Sequence, residues 1–325
     1  MIYGFDIMTA IPEDLAFRIG RKFSQHYYDT PVNNSIRSVM VNYSFGNYIL
    51  WLNINASVLV CGKETFDILL TKEPDFAILD ETFKIHLEEI FGKINILPPL
   101  QSWGLHMIRY GLDVKVDNID ELMHVLAKTN IPAAHLNPQN AVSMIRPFDY
   151  PFHKGKLELY PKSELIKLNK IDYKGSQVEC ERDIARLVLI QKRNNMGYAK
   201  RLLKKFEMNL WSLDSFLNPL VVTNTITKEY LDAVGDGDFY QYDSALQYIE
   251  DNVSSFQKRR ILIELIKNGA NSKKELKQLR DVGISGALLD SDAKFEVIKN
   301  PFDEILFKCN LYMNSINNSS LEKSF

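Results

Sequence analysis

Residues Leu105–Asn118 read LHMIRYGLDVKVDN. From Ile108 onward the apolar residues fall at every second position: Ile108, Tyr110, Leu112, Val114 and Val116. Between them stand Arg109, Gly111, Asp113 and Lys115. A period of two predicts a β-strand with one face in a core and the other carrying charge. The chain on either side supplies further strands. MIYGFDIMTAI reads as a strand, and EDLAFRIGRKFSQHY as a helix after the turn signal at Pro12. SIRSVMVNYSFG and NYILWLNINASVLVCG read as two strands joined by a turn at Phe45–Gly46–Asn47. ETFKIHLEEIFGKI has a helical apolar face of Phe83, Ile85, Leu87, Ile90 and Phe91.

Downstream, NIDELMHVLAK is an amphipathic helix with Asp120 near its N-terminus, and its apolar stripe carries His124 as a core residue. KLELYPKSEL (Lys156–Leu165) opens as a short strand. Leu157 and Leu159 point one way, and Lys156, Glu158 and Tyr160 the other. ARLVLIQKR is a further apolar strand, with a helix as the alternative, and GYAKRLLKKF is a basic helix. Beyond Phe206 the periodicity becomes helical. ITKEYLDAV begins at Thr227 as N-cap, DSALQYIEDNV follows, and SFQKRRILIELIKN runs to Gly269. SKKELKQLRDV opens with a capping box of Ser272 and Glu275 and stops at Gly283. The expected fold is α+β, with a strand-rich antiparallel domain over 1–206 and a mostly helical region over 207–325. The last two helices have helix-turn-helix connectivity, which would turn Lys273, Lys274, Lys277 and Arg280 towards the exposed side. An ordinary helical hairpin has the same pattern.

With 325 residues, 46% of them apolar, the chain can bury a sizeable core. MIYGFDIMTAIPEDL lacks the basic start of a signal peptide, and Asn53 and Asn55 interrupt the most apolar segment short of a membrane span. Cys61, Cys180 and Cys309 are far apart, with neither zinc nor disulfide spacing. The expectation is a cytoplasmic protein with no membrane partner. No histidine pairs with another or with a cysteine at metal-ligand spacing, and GDGDFYQYD (Gly235–Asp243) reads as a turn rather than a calcium loop. Neither a phosphate-binding glycine loop nor a nucleophile elbow occurs.

The net charge of −2 conceals a gradient. Residues 151–206 carry 14 Lys and Arg against 6 Asp and Glu, while the flanking regions are acidic. This central block, including Lys192, Arg193, Lys200, Arg201, Lys204 and Lys205, is a candidate phosphate-binding surface; solvated helix faces would give the same excess.

The order of these segments resembles the rolling-circle replication initiators of phages and plasmids, especially those of Gram-positive hosts. YILWLNINASVLVCGK is similar to a strand of that group, and MIRYGLDVKVDNIDEL to its strand–helix unit of the form RIDY..D. LELYPKSELI resembles its LYDK strand, and ARLVLIQKR its RFEVRLKR strand. GDFYQYDSALQYIE, LKQLRDVGISGALL and IKNPFDEIL follow in the order of its helical part. The resemblance spans nearly the whole chain in short patches. It implies origin DNA, single-stranded or hairpin, as ligand and host replication proteins as partners. It also implies a reaction: a tyrosine hydroxyl attacks a phosphodiester, leaving a 5′-phosphotyrosine and a free 3′-OH. A divalent cation, Mg²⁺ or Mn²⁺, would polarise the scissile phosphate.

On that resemblance Tyr160 is the nucleophile or lines its pocket, Lys162 meets a phosphate oxygen, and Asp113 and Glu158 hold the cation. Tyr150 is a second candidate nucleophile and Glu179 a further ligand. The chain also departs from the group. The His-hydrophobic-His pair is absent, and Arg109, Pro161 and Val188 stand where carboxylates are expected. Three readings follow: a nicking initiator, a DNA-binding relative without catalysis, or a protein-interaction module using the basic patch.

Overall fold

In the computed structural model the residues described are 2–23, 35–56, 59, 76–92, 97–127, 135–136, 145–146, 156–163, 183–193, 196–210, 212–270 and 272–322. The fold is α+β. Its centre is an antiparallel sheet of β1 (Ile2–Ile11), β2 (Ile36–Ser44), β3 (Asn47–Asn55), β4 (Gly104–Lys115), β5 (His135–Leu136), β6 (Ile145–Arg146), β7 (Lys156–Pro161) and β8 (Ile184–Lys192). The spatial order is β2-β3-β1-β4-β8-β7-β6-β5. The strand expected from Leu105–Asn118 is thus β4, and it lies between the N-terminal strand β1 and the late strand β8. ARLVLIQKR is a strand, as β8, and not a helix.

The alternation read from β4 holds across its neighbours. Ile108, Tyr110, Leu112 and Val114 are buried together with Phe5 and Ile7 of β1, Leu50, Leu52 and Ile54 of β3, and Leu187 and Leu189 of β8. Onto this face pack α6 (Pro219–Ala233) and α10 (Phe302–Glu322), reached through α4 (Gly197–Lys205) and the short α5 (Leu213–Leu217). The apolar core runs without a break from the sheet into these helices. The Tyr110 hydroxyl, fully buried, donates to the Phe216 carbonyl at 2.9 Å, so a strand of the sheet is hydrogen-bonded to the C-terminal helical region. Burial drives that phenol's pKa far above its ordinary value.

Elsewhere α1 (Glu13–Phe23), α2 (Phe76–Phe91) and α3 (Ile119–Ala127) follow the amphipathic segments. In α2, Phe83 and Leu87 are buried, but Ile85 is half exposed. A smaller second core gathers α7 (Tyr242–Asn252), α8 (Phe256–Asn268) and α9 (Lys273–Arg280) around Ile249, Leu262 and Leu279. The capping box at Ser272 and Glu275 is present, with both reciprocal hydrogen bonds, and Gly269 ends α8 at φ 77°.

Four local readings are corrected. The helix around ITKEYLDAV begins at Pro219, not at Thr227: the Asn218 side chain accepts from the Leu220 N–H at 3.0 Å, and Pro219 supplies a preset φ at the first helical position. His124 is not in the core; it is exposed and lies 3.0 Å from Asp290. Gly235–Asp243 is more than a turn. Its Phe239–Tyr240 forms β9, paired with β10 (Val297–Ile298), and Asp238 accepts from the Asn300 N–H at 2.8 Å. Arg280 turns inward instead of outward, donating to the Leu231 and Val234 carbonyls at the C-terminus of α6.

Candidate nucleic-acid interface

The outer face of the sheet has two regions of different chemistry. The first is a row of charge across β4, β8 and β7. Asp113, Arg186 and Tyr160 are register partners, so their side chains stand side by side. Arg186 is fully buried and grips Asp113 with both arms of its fork: Nε to Oδ1 at 2.7 Å and Nη2 to Oδ2 at 2.8 Å. Lys162, also buried, places Nζ 2.9 Å from the same Oδ2. Burial alone would raise the Asp113 carboxyl, but the Arg186 and Lys162 charges outweigh it and hold the group below its ordinary value. Two residues along β7 from Tyr160, on the same face, Glu158 accepts a hydrogen bond from the Tyr160 hydroxyl.

These contacts bear directly on the expected cation site. A divalent ion needs carboxylate lone pairs facing open space. Both Asp113 oxygens already face cations within 2.9 Å, and a metal placed there would meet two like charges. Asp113 and Glu158 therefore do not fit a Mg²⁺ or Mn²⁺ site, and Lys162 is held by Asp113 rather than presented to a phosphate. Among the described residues no group of three His, Cys, Asp or Glu side chains converges as a metal site. Arg109, which stands where the resemblance calls for a carboxylate, pairs with Asp6 at 3.0 Å. Tyr150 and Glu179 lie outside the described residues.

The second region lies at the other end of the same face. A cleft of about 750 Å³ is lined by Met8 and Ala10 of β1, Asn42 and Ser44 of β2, Trp51 of β3, His106 of β4, and Lys192 and Arg193 at the end of β8. It crosses five adjacent strands, about 19 Å at the usual strand spacing. Among the described residues that line it, none is acidic. Its floor is aromatic: the Trp51 and His106 rings meet edge to face with centroids 4.5 Å apart.

A β-bulge makes that pair possible. Asp6 opposes Met107 and Ile7 opposes Leu105, so His106 is the extra residue on β4. Strict alternation would send His106 into the core beside Ile108; the bulge turns it outward. Burial lowers the His106 pKa, as do Lys192 and Arg193, while Asp6 works in the opposite direction. The ring is therefore neutral near pH 7.

The predicted basic residues divide by position. Lys192 is exposed and Arg193 half-buried, both on the cleft wall. Lys200, on α4, donates to the Arg193 carbonyl at 3.0 Å and so ties the basic helix to that wall. Arg201, Lys204 and Lys205 are exposed on the same helix, Arg201 lying over the Tyr198 ring. Lys273 opens α9, Lys274 is exposed, and Lys277 pairs with Asp281 at 3.0 Å.

Sequence reasoning missed Trp51 and His106. Trp51 had a usable signal: in NYILWLNIN the alternate residues Leu50, Leu52 and Ile54 are buried, which leaves an indole on the wet face. His106 had none, because its orientation depends on the bulge.

No family model, curated protein or solved structure matches this chain. The likeness to rolling-circle initiators rests on the short segments alone. No helix among the described residues is long and apolar enough to cross a membrane.

Proposed function

We propose that this chain binds single-stranded DNA across the outer face of its sheet, as a cytoplasmic replication protein of the rolling-circle initiator kind that holds origin DNA. The observation that carries the reading is the cleft, in which an aromatic floor of Trp51 and His106 meets a cationic wall of Lys192 and Arg193. Unpaired bases stack on aromatic rings in a sequence-tolerant way, and cations along the groove follow the phosphates. The exposed cations of α4 extend that wall, because Lys200 fastens the helix to Arg193. Duplex DNA fits less well, since its base faces are already stacked and cannot reach the floor.

Fluorescence anisotropy with a labelled oligothymidine, at several salt concentrations, tests this. Wild-type protein binds with an affinity that falls steeply with salt. Trp51→Ala weakens binding about fivefold or more, and Lys192→Ala with Arg193→Ala flattens the salt slope. Equal affinity for a duplex of the same length, or a Trp51→Ala variant that binds like wild type, would sink the reading.

The Tyr160–Glu158 hydrogen bond favours a second reading, in which strand nicking is retained. A carboxylate that accepts a phenol's proton is the arrangement a tyrosine nucleophile requires. Incubation with a labelled hairpin, with and without Mg²⁺ or Mn²⁺, would then give a covalent adduct that Tyr160→Phe abolishes. Absence of an adduct under every condition leaves the binding protein.

A further inference from the structure

At the far side of the cleft from Lys192 and Arg193, the turn joining β2 to β3 carries Phe45 on the cleft lining. Its backbone is left-handed, φ 51°, and is followed by Gly46 at φ 80°. A two-residue hairpin turn with both φ values positive favours Asn-Gly, and a bulky side chain is disfavoured there. Phe45 gains nothing in return from burial, because its ring is fully exposed. The turn is nevertheless well fixed. The Asn47 side chain donates to the Phe45 carbonyl at 3.3 Å, and Tyr43 and Tyr48 pack together across the hairpin at 4.9 Å between centroids. An aromatic ring is thus held at a conformational cost, in water, at the end of a groove whose opposite end is cationic. Strain of this kind collects at positions that serve a ligand.

We propose that Phe45 is a stacking platform for the last base of the bound strand. The strand then runs from the Lys192–Arg193 wall, over Trp51 and His106, to the hairpin tip. This rests on the sheet-face reading above and adds to it a ligand requirement: the base at the hairpin end must present a free face, so the cleft selects unpaired DNA along its whole width. Phe45 acts on the ligand and not on the fold.

The discriminating substitution is Phe45→Asn, which removes the ring and also supplies a residue that tolerates the left-handed turn. Binding of a labelled 12-nucleotide oligothymidine is compared for wild type, Phe45→Asn, Phe45→Trp and Trp51→Ala, alongside thermal unfolding of each. Phe45→Asn is expected to bind about five- to 150-fold more weakly while melting at or above the wild-type temperature. Phe45→Trp keeps wild-type affinity within about twofold, since any flat ring serves. If Phe45→Asn binds like wild type while Trp51→Ala is impaired, the platform is wrong and the sheet-face reading survives. A Phe45→Asn protein that melts below wild type also overturns the proposal, because the ring would then be holding the fold. If neither substitution weakens binding, both fall.

Discussion

Asp113 and Arg186 face each other across β4 and β8 in a two-point ion pair, 2.7 and 2.8 Å, with Lys162 closing on the same carboxylate at 2.9 Å. The strand alternation that places Asp113 on the outer face also places Arg186 and Tyr160 in its row. The chemistry of the row then follows from counting charge: one carboxylate serves two buried cations. Removing it is more damaging than never having had the cluster.

Asp113→Asn is therefore expected to cost about 3–5 kcal/mol, the usual penalty for breaking one partner of a buried pair. Urea unfolding at pH 7 measures it. Asp113→Leu combined with Arg186→Met and Lys162→Met should recover much of the loss, since apolar residues of similar volume replace such buried clusters at little cost. The pH dependence has a fixed sign. The folded Asp113 carboxyl titrates below its unfolded value of about 3.9, so its contribution is complete above that pH. It disappears as the pH falls through the folded value. Wild type should lose stability below about pH 4 more steeply than Asp113→Asn. Parallel curves would remove the pair from the stability of the fold.

The same geometry predicts how the protein responds to metal. A site on Asp113 and Glu158 with a dissociation constant near 0.1 mM would add about 2.7 kcal/mol in 10 mM Mg²⁺, a shift of several degrees. With both Asp113 oxygens facing cations, no shift that depends on Asp113 is expected. Thermal unfolding of wild type and Asp113→Asn with Mg²⁺, Mn²⁺ or a chelator reads this out. A rise in Tm present in wild type and lost in the variant would restore the cation site.

Arg280 illustrates a cation that sequence assigns to DNA and packing assigns to a helix end. Its guanidinium donates to the Leu231 and Val234 carbonyls, where the α6 dipole is negative. Gly235, at φ 91°, leaves it room: a Cβ there would lie 2.4 Å from Arg280 Nε. Gly235→Ala should cost about 1–3 kcal/mol through strain and the clash, and Arg280→Ala about 0.5–2 kcal/mol through the lost cap. Neither change should alter affinity for single-stranded DNA measured well below the melting temperature. A DNA defect in Arg280→Ala without a stability defect would return this residue to the interface.

How much of this was legible in the sequence depends on how local the determining physics is. The strands β1, β2, β3, β4, β7 and β8, the hairpin turn and the Ser272 capping box were all readable, because period-two burial and cap chemistry involve residues a few positions apart. The α+β class followed from them. Thr227 reads locally as a cap, yet Asn218–Pro219 starts the helix two turns earlier. His124 sits on an apolar-looking stripe but meets Asp290, 166 residues away. The cation-ligand role expected of Asp113 was misread for the same reason. Nothing near Asp113 in the chain announces Arg186 or Lys162, and only strand order brings them together. The cleft is less legible still, since its floor depends on a one-residue bulge.

That bulge leads to a pH effect at the proposed DNA-binding cleft. His106 is neutral near pH 7 because burial, Lys192 and Arg193 disfavour its proton, with Asp6 opposing them. A folded pKa below the unfolded value means that the unfolded chain binds more protons as the pH falls below about 6.5, so this group lowers stability in acid. A bound phosphate backbone reverses part of that balance, because a protonated His106 adds a charge to the floor of the cleft. Single-stranded DNA affinity should therefore rise between pH 7.5 and 5.5 at constant ionic strength. His106→Phe keeps an aromatic partner for Trp51 but cannot titrate, and it should bind with a flatter pH profile and hold its Tm better in acid. Anisotropy titrations across that pH range, paired with thermal unfolding, measure both slopes. If His106→Phe retains the wild-type rise in affinity, the titrating group lies elsewhere, and the bulge serves only to shape the cleft.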